Sequence, residues 1–402
     1  LETSYATDDW PASVQANLQA LQAGAYLGEG DMQKANSALL SAKSLDEKAY
    51  DVLRVTILLH LAENHKEDAE AAISKAQTLF PQDSEFMLMS ADLAVMNKQY
   101  EEAIRAFEQI IKLGPENLMT LNMKRAHLGI LRLAIMEKDF NRVQKSREAF
   151  VSSKIDDPEV NYFLALAAFR EKNMDEAEAY LQKVLLVSSS HGPTLLLSGL
   201  VSYANQNFER AAYYSSKYIA NHPENSRART LLGRSYLALG QYEDARKEFN
   251  SVLKEHPDDA ELIALVGLSE VRSGELESGI TALEKALEMV PESAPLQLEL
   301  AKAYIADGQT DEGISLLDEM LQKDGNKDQI RTLKVLAYLQ SNDIELAMIT
   351  ARKMLVKSAN RADVLSLMGS IQLAARDTAE ARNYFNQALE INRDHKYAKL
   401  NL

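Results

Sequence analysis

A fixed recurrence constrains what this chain can fold into. Residues 226–257, SRARTLLGRSYLALGQYEDARKEFNSVLKEHP, hold two short amphipathic segments with a turn between them. Leu232, Gly233 and Tyr236 mark the first segment and Gly240 closes it; Ala245, Phe249 and Val252 mark the second, and Pro257 ends the unit. Apolar residues at this spacing line one face of a helix, so the unit reads as a helix pair. Gly233 and Ala245 are small where the two helices would touch, and Tyr236 and Phe249 fill the space beside that contact. A step of 34 residues repeats the pattern. Going forward, Gly233 becomes Gly267, Ala301, Val335 and Gly369, and Ala245 becomes Gly279, Gly313, Ala347 and Ala381. Going backward, they become Gly199 and Ala165, and Ala211 and Ala177; Pro257 maps back onto Pro223 and forward onto Pro291.

Earlier in the chain the register slips once. Ala91, Ala103, Phe107 and Pro115 mark a repeat starting near Ser84, yet the next is in phase only from Lys124, which leaves about six extra residues near 118–123. The stretch NLMTLNMKRAHLGILRLAIMEKD reads as one over-long first helix. Before it the period returns, through Ala69 and Pro81, then Ala23, Tyr26 and Ala35.

Leu–Gly, Tyr, Ala, Phe and Pro at these offsets are the spacing of the tetratricopeptide repeat, and the chain resembles that family over residues 16–402. The resemblance implies an all-α fold, a right-handed superhelical solenoid of antiparallel helix pairs. About eleven repeats would start near residues 16, 50, 84, 124, 158, 192, 226, 260, 294, 328 and 362 and run to 395. Residues 1–15, with Trp10-Pro11, read as a tail or the remnant of a preceding repeat, and 396–402 as the start of a further helix. Neither end carries a polar capping helix, so the chain reads as an excerpt of a longer protein.

The formal net charge of −15 argues against nucleic acid, whose phosphates need a dense basic surface. Much of the acid lies at the start of second helices, as in Glu101-Glu102 and Glu243-Asp244, where carboxylates suit the helix dipole. The chain has no cysteine, so it has no disulfide framework. No apolar run reaches the length of a membrane span, and any lipid anchor would lie outside the excerpt. The histidines are scattered, with His65 beside Glu67 in a turn, and no Gly-rich phosphate loop or nucleophile motif occurs. The expectation is a non-catalytic chain without cofactor or metal.

In the resembled family, first helices line a concave groove, with positions 5, 9 and 13 pointing into it. Here those positions hold Arg54, Arg132, Arg170, Arg234, Arg272 and Lys302, with Asp92 the one acid. Met96, Met136, Tyr162, Leu166 and Leu200 lie among them. This basic and apolar set is the candidate partner-binding groove, suited to an extended or helical ligand with negative charge; Arg gives bidentate contacts to carboxylates. The alternative is that the arginines neutralise nearby acids such as Glu159 and Glu261. Phe169 and Tyr203, one position away, lie where every repeat is apolar, and read as packing. The Lys/Asn clamp for chaperone tails found in some family members is absent: the matching pairs read Thr230 and Arg234, Ala264 and Leu268, Leu298 and Lys302.

Residues 195–233 and the closing FNQALEINRDHKYAKLNL are also similar to long bacterial tetratricopeptide lipoproteins associated with exosortase (PEP-CTERM) sorting and exopolysaccharide genes. That resemblance implies the periplasm or cell envelope rather than the cytoplasm. The expected function is a protein–protein interaction scaffold. A carrier for an anionic polysaccharide or glycolipid, or the regulatory region of a longer enzyme, are the alternatives.

Overall fold

The computed structural model describes residues 10–402 except 116–117, 323–326, 358–360 and the side chains of 327 and 357. The chain divides into two compact units, Leu1–Thr194 and Leu195–Leu402, and among the described residues it contains helices and no strands. In the first unit the helices alternate as α1 (Ala12–Gly28), α2 (Met32–Leu45), α3 (Tyr50–Ala62), α4 (Lys66–Leu79), α5 (Ser84–Met96), α6 (Tyr100–Leu113), α7 (Leu121–Glu137), α8 (Phe140–Ser152), α9 (Pro158–Arg170) and α10 (Met174–Val187). The boundary between units falls in α11 (Gly192–Ala204). The second unit continues with α12 (Phe208–Ile219), α13 (Ser226–Ala238), α14 (Tyr242–Leu253), α15 (Ala260–Ser273), α16 (Leu276–Met289), α17 (Ala294–Ala306), α18 (Thr310–Gln322), α19 (Lys327–Gln340), α20 (Ile344–Lys357), α21 (Arg361–Ala374), α22 (Thr378–Ile391) and the short α23 (Lys396–Leu400).

Each first helix packs on the second helix that follows it, and that second helix on the next first helix, through α1–α10 in one unit and α12–α23 in the other. In the first unit the odd-numbered helices α1 to α9 also touch their successors directly. The result is an all-α helical solenoid. Every repeat turns the same way. The backbone N–H that opens the second helix donates to the carbonyl five residues back, as in His65 to His60, Gln241 to Tyr236 and Asp377 to Gln372. The residue just before that N–H is left-handed in all the repeats, and only four of these positions are glycine: Gly30, Gly240, Gly274 and Gly308. Elsewhere Asn64, Lys98, Lys138, Lys172, Gln206, Asn342 or Arg376 adopts the conformation despite its Cβ. Glycine at Gly240 is therefore one solution to this turn, not its requirement.

The interior of each pair is a match of sizes. Adding a Cβ to Gly233 would place it 2.5 Å from the ring of Phe249, and Gly369 meets Phe385 in the same way at 2.6 Å. Both phenylalanines are fully buried. At Ala165 and Ala301 the partner sixteen residues on is the smaller Leu181 or Leu317, whereas Ala91 keeps Phe107, whose ring lies against Gly129 of the next repeat. Backbone contact without an intervening ring occurs at Gly267 and Gly279 instead. Arg147 departs from this rule. It occupies the large apolar position and spends its charge on Glu171 at 2.6 Å.

Two readings at the N-terminal end change. Residues 12–15, expected in the tail, form the first turn of α1. The over-long helix is also shorter than expected: α7 starts at Leu121 with Thr120 as its cap, because the Thr120 hydroxyl accepts from the Met123 N–H, while 118–120 are non-helical and 116–117 lie outside the described residues. Gly129, within α7, is held against the Phe107 ring of the preceding repeat.

Tyr50 and Tyr304 bear on alkaline stability. Burial, reinforced by the carboxylates of Asp83 and Glu284 that accept their hydroxyls, pushes both phenols up to about 12. A raised phenol favours the folded state below about 10 and loses that contribution as pH rises towards about 12. In an absorbance titration these two tyrosines should ionise last, and Tyr50→Phe with Tyr304→Phe should remove that late phase and flatten the loss of stability above pH 10. An unchanged late phase in the double variant would contradict this.

Candidate interaction surface

The first helices present their solvent-facing residues in rows one turn apart. Positions 5, 9 and 13 share one helix face because residues four apart lie one above the other; at position 5 Leu88 and Leu128 are buried in the core, so positions 9 and 13 carry most of the solvent-facing side chains. Position 2, one turn earlier, lies there too and carries Asp51, Glu85, Glu159 and Glu261, while Glu299 stands at position 6 of its helix. Arg54 is held by Asp51 within α3 at 3.0 Å. Arg234 pairs with Glu261, which opens the next first helix. Arg272 and Lys302 both reach Glu299, at 3.7 and 2.6 Å. Four of the six expected groove cations are thus engaged within the protein.

The first unit keeps a different set together across α5, α7 and α9. Arg125 donates to Glu85 at 3.1 Å and lies 3.9 Å from Asp92. The surrounding helices raise the Asp92 carboxyl above the ordinary range by desolvation, against the pull of Arg125 and Arg132. Arg132 lies over the Phe163 ring, 5.1 Å from its centroid. A guanidinium on an aromatic face keeps its outward N–H groups available. Tyr162 packs on Phe163 and His191 at 5.3 and 5.7 Å; it is half-buried, and burial raises its phenol above the usual value. Leu166 is half-buried beside the core, while Met96, Met136 and Arg170 are exposed. Among the described residues neither Arg132 nor Arg170 reaches an acid at ion-pair distance. Arg125 joins this set without having been expected; it is a cation at position 2, as is Arg227, in a row where Asp51, Glu85, Glu159 and Glu261 are acids.

In the second unit the matching face is apolar between its ion pairs. A cavity of about 490 Å³ lies between α15 and α17, lined by Ala264, Leu268 and Leu296 together with Glu261 and Glu299. Leu200 is only just exposed. Tyr203 packs against Phe208, which opens its own repeat's second helix, at 5.4 Å. The two expected groove sets therefore belong to different units. Among the described residues no helix is long and apolar enough to cross a membrane.

Paired helices stacked in this way, with a solvated first-helix face, define a repeat protein of the scaffold class. Sequence models of the tetratricopeptide repeat match residues 202–268 and 270–334, 55–117 and 137–193, and 362–395. The chain belongs to the tetratricopeptide repeat family. Among solved structures it is similar to a tetratricopeptide repeat protein from Parabacteroides merdae, at 18% identity and a TM-score of 0.51, over 61% of this chain and 97% of that one. It is also similar to the C-terminal part of a repeat-containing protein from Cytophaga hutchinsonii, at 16% identity and a TM-score of 0.45, over 60% of this chain and 99% of that one. A third is a thermophilic repeat protein from Thermus thermophilus, at 21% identity and a TM-score of 0.37, over 45% of this chain and 99% of that one. No curated protein sequence matches. The family and its fold make this chain a repeat scaffold for protein–protein interaction, and such a fold is generally non-catalytic.

Proposed function

We propose that the first-helix face of the first unit is the partner-binding groove, and that it takes an extended or helical polypeptide with acidic side chains. The observation that carries this reading is the contrast between the cations. Arg54, Arg234, Arg272 and Lys302 are engaged by acids of the chain itself, whereas Arg132 and Arg170 keep their donors for a ligand. Met96, Met136 and Leu166 supply apolar surface beside them, and apolar anchors carry most of the affinity at such interfaces. Arg125 and Asp92 form one edge of the patch and fix its register. The setting follows from the narrower resemblance of residues 195–233: a cell envelope, with the scaffold serving protein sorting or the assembly of surface polysaccharide.

A double variant tests the groove directly. Arg132→Glu with Arg170→Glu should leave the far-ultraviolet spectrum and thermal midpoint unchanged, because neither side chain is needed for an internal ion pair. Affinity for the captured partner should fall by roughly tenfold or more, on the order expected for losing charge-assisted contacts. The partner itself is obtained by photo-crosslinking from a probe at Met136 in the native cell, followed by mass spectrometry. A discrete protein adduct lost in the double variant supports the reading; glycan in place of protein, or an adduct indifferent to the double variant, overturns it.

A further inference from the structure

The turn between α3 and α4 holds three metal-ligating side chains that the interaction surface does not use. His60 lies in the last turn of α3, Glu63 is the residue that caps it, and His65 is the residue just before α4. Spacing along one helix separates the two histidines. The turn reunites them: the His65 N–H donates to the His60 carbonyl at 2.8 Å, with left-handed Asn64 between Glu63 and His65. One ligand atom from each of the three lies within 4.8 Å of the others. Glu63 Oε2 is 3.3 Å from His65 Nδ1, and the rings of His60 and His65 are 6.4 Å apart.

None of the three is consumed by the fold. Asp31, Asp139, Asn173, Asn207 and Asp377 occupy the position of His65 in other repeats, and each accepts a backbone N–H of the helix it opens. His65 makes no such bond, and its ring turns to Glu63 instead. His60 Nδ1 is buried and makes no hydrogen bond within the protein. The other oxygen of Glu63 accepts from Asn36 Nδ2 of α2 at 3.2 Å, which orients the carboxylate from behind. A carboxylate held by an outer donor next to two imidazoles is the arrangement that a borderline divalent ion selects.

We propose that His60, Glu63 and His65 form a three-ligand binding site for a zinc-class divalent cation. Two ligands on a tetrahedral zinc ion stand roughly 3.4 Å apart, given metal–ligand distances of about 2.1 Å. The Glu63–His65 pair already has that separation, and the third ligand atom lies within 4.8 Å of both. Imidazole donors select zinc, nickel or copper over calcium and magnesium. Three protein ligands leave a fourth position open to water or to a donor from a partner.

Titrating the chelator-stripped full chain with zinc chloride by calorimetry, and with cobalt(II) by visible absorption, tests the site. One saturable site is expected, with the strong visible bands of four-coordinate cobalt. His65→Gln should weaken zinc binding by at least about tenfold, and Asn36→Ala by about tenfold, as outer-shell partners do. The partly exposed His65 side chain is used because its replacement leaves the metal-free melting temperature in place. The same zinc concentration should raise the melting temperature of the parent and not of His65→Gln. A titration without saturation overturns the site, as does a zinc affinity equal in the parent, His60→Gln and His65→Gln, which would put the ion on the other histidines or the surface acids.

Discussion

Replacing Phe249 with alanine should lower stability by about 3–5 kcal/mol, the loss expected for deleting a fully buried aromatic ring. The ring lies on the bare Cα of Gly233 and packs with Ala245, Val252 and Leu262, so its removal empties the junction between α13, α14 and α15. Little can move in to fill it, because the helices around it are pinned on both sides by neighbouring repeats. The denaturant midpoint is the measurement. A loss below about 1 kcal/mol would mean that the ring does not hold the pair together. A second variant reads the coupling. Gly233→Ala alone should be destabilising, since its Cβ would meet the ring at 2.5 Å. Combined with Phe249→Leu it should cost less than the two single changes added, because Ala with Leu is the pairing that Ala165–Leu181 and Ala301–Leu317 already use.

Gly267→Leu should cost at least the 1–3 kcal/mol typical of an overpacked core, for a different reason. A Cβ there would lie 2.9 Å from the carbonyl oxygen of Gly279, 2.9 Å from Ala282 Cβ and 3.1 Å from the Leu283 nitrogen. Gly279 faces the same constraint from the other side, 2.8 Å from the Gly267 carbonyl. Two of the obstacles are backbone, so no rotamer change relieves them and α15 must separate from α16. Gly274 is the control. It is left-handed at φ 95° with open space around it, and Asn64 and Asn342 already occupy the same turn position in other repeats. Gly274→Asn should therefore cost little, about 1 kcal/mol or less. Equal midpoints for Gly267→Leu and Gly274→Asn would contradict the backbone contact between α15 and α16.

The interaction surface shows where sequence and structure divide. That positions 5, 9 and 13 share one helix face follows from helix periodicity, and the family resemblance implied that this face lines the groove, so Arg132, Met136 and Arg170 could be placed on one row from the sequence. Which cations remain available could not be read in the same way. Arg234 meets Glu261 across 27 residues, and Arg125 meets Glu85 across 40. Those partners depend on how one helix is shifted and rotated against the next. The candidate metal site has the same origin. His60 and His65 fail every spacing rule for a single helix, and a left-handed residue between the helices folds one back on the other.

The sequence by itself determined that this is an array of helix pairs, because a 34-residue period with small residues at the crossing points admits one kind of local packing. It determined the apolar faces and most of the turns for the same reason: those depend on residues a few positions apart on one segment. Tertiary structure alone decided the exchange of Gly–Phe for backbone contact at Gly267, the neutralisation of the groove cations in the second unit, and the convergence of two imidazoles on Glu63. Each is a contact between separate helices, and its energy depends on ångström-scale offsets that a period in sequence does not encode.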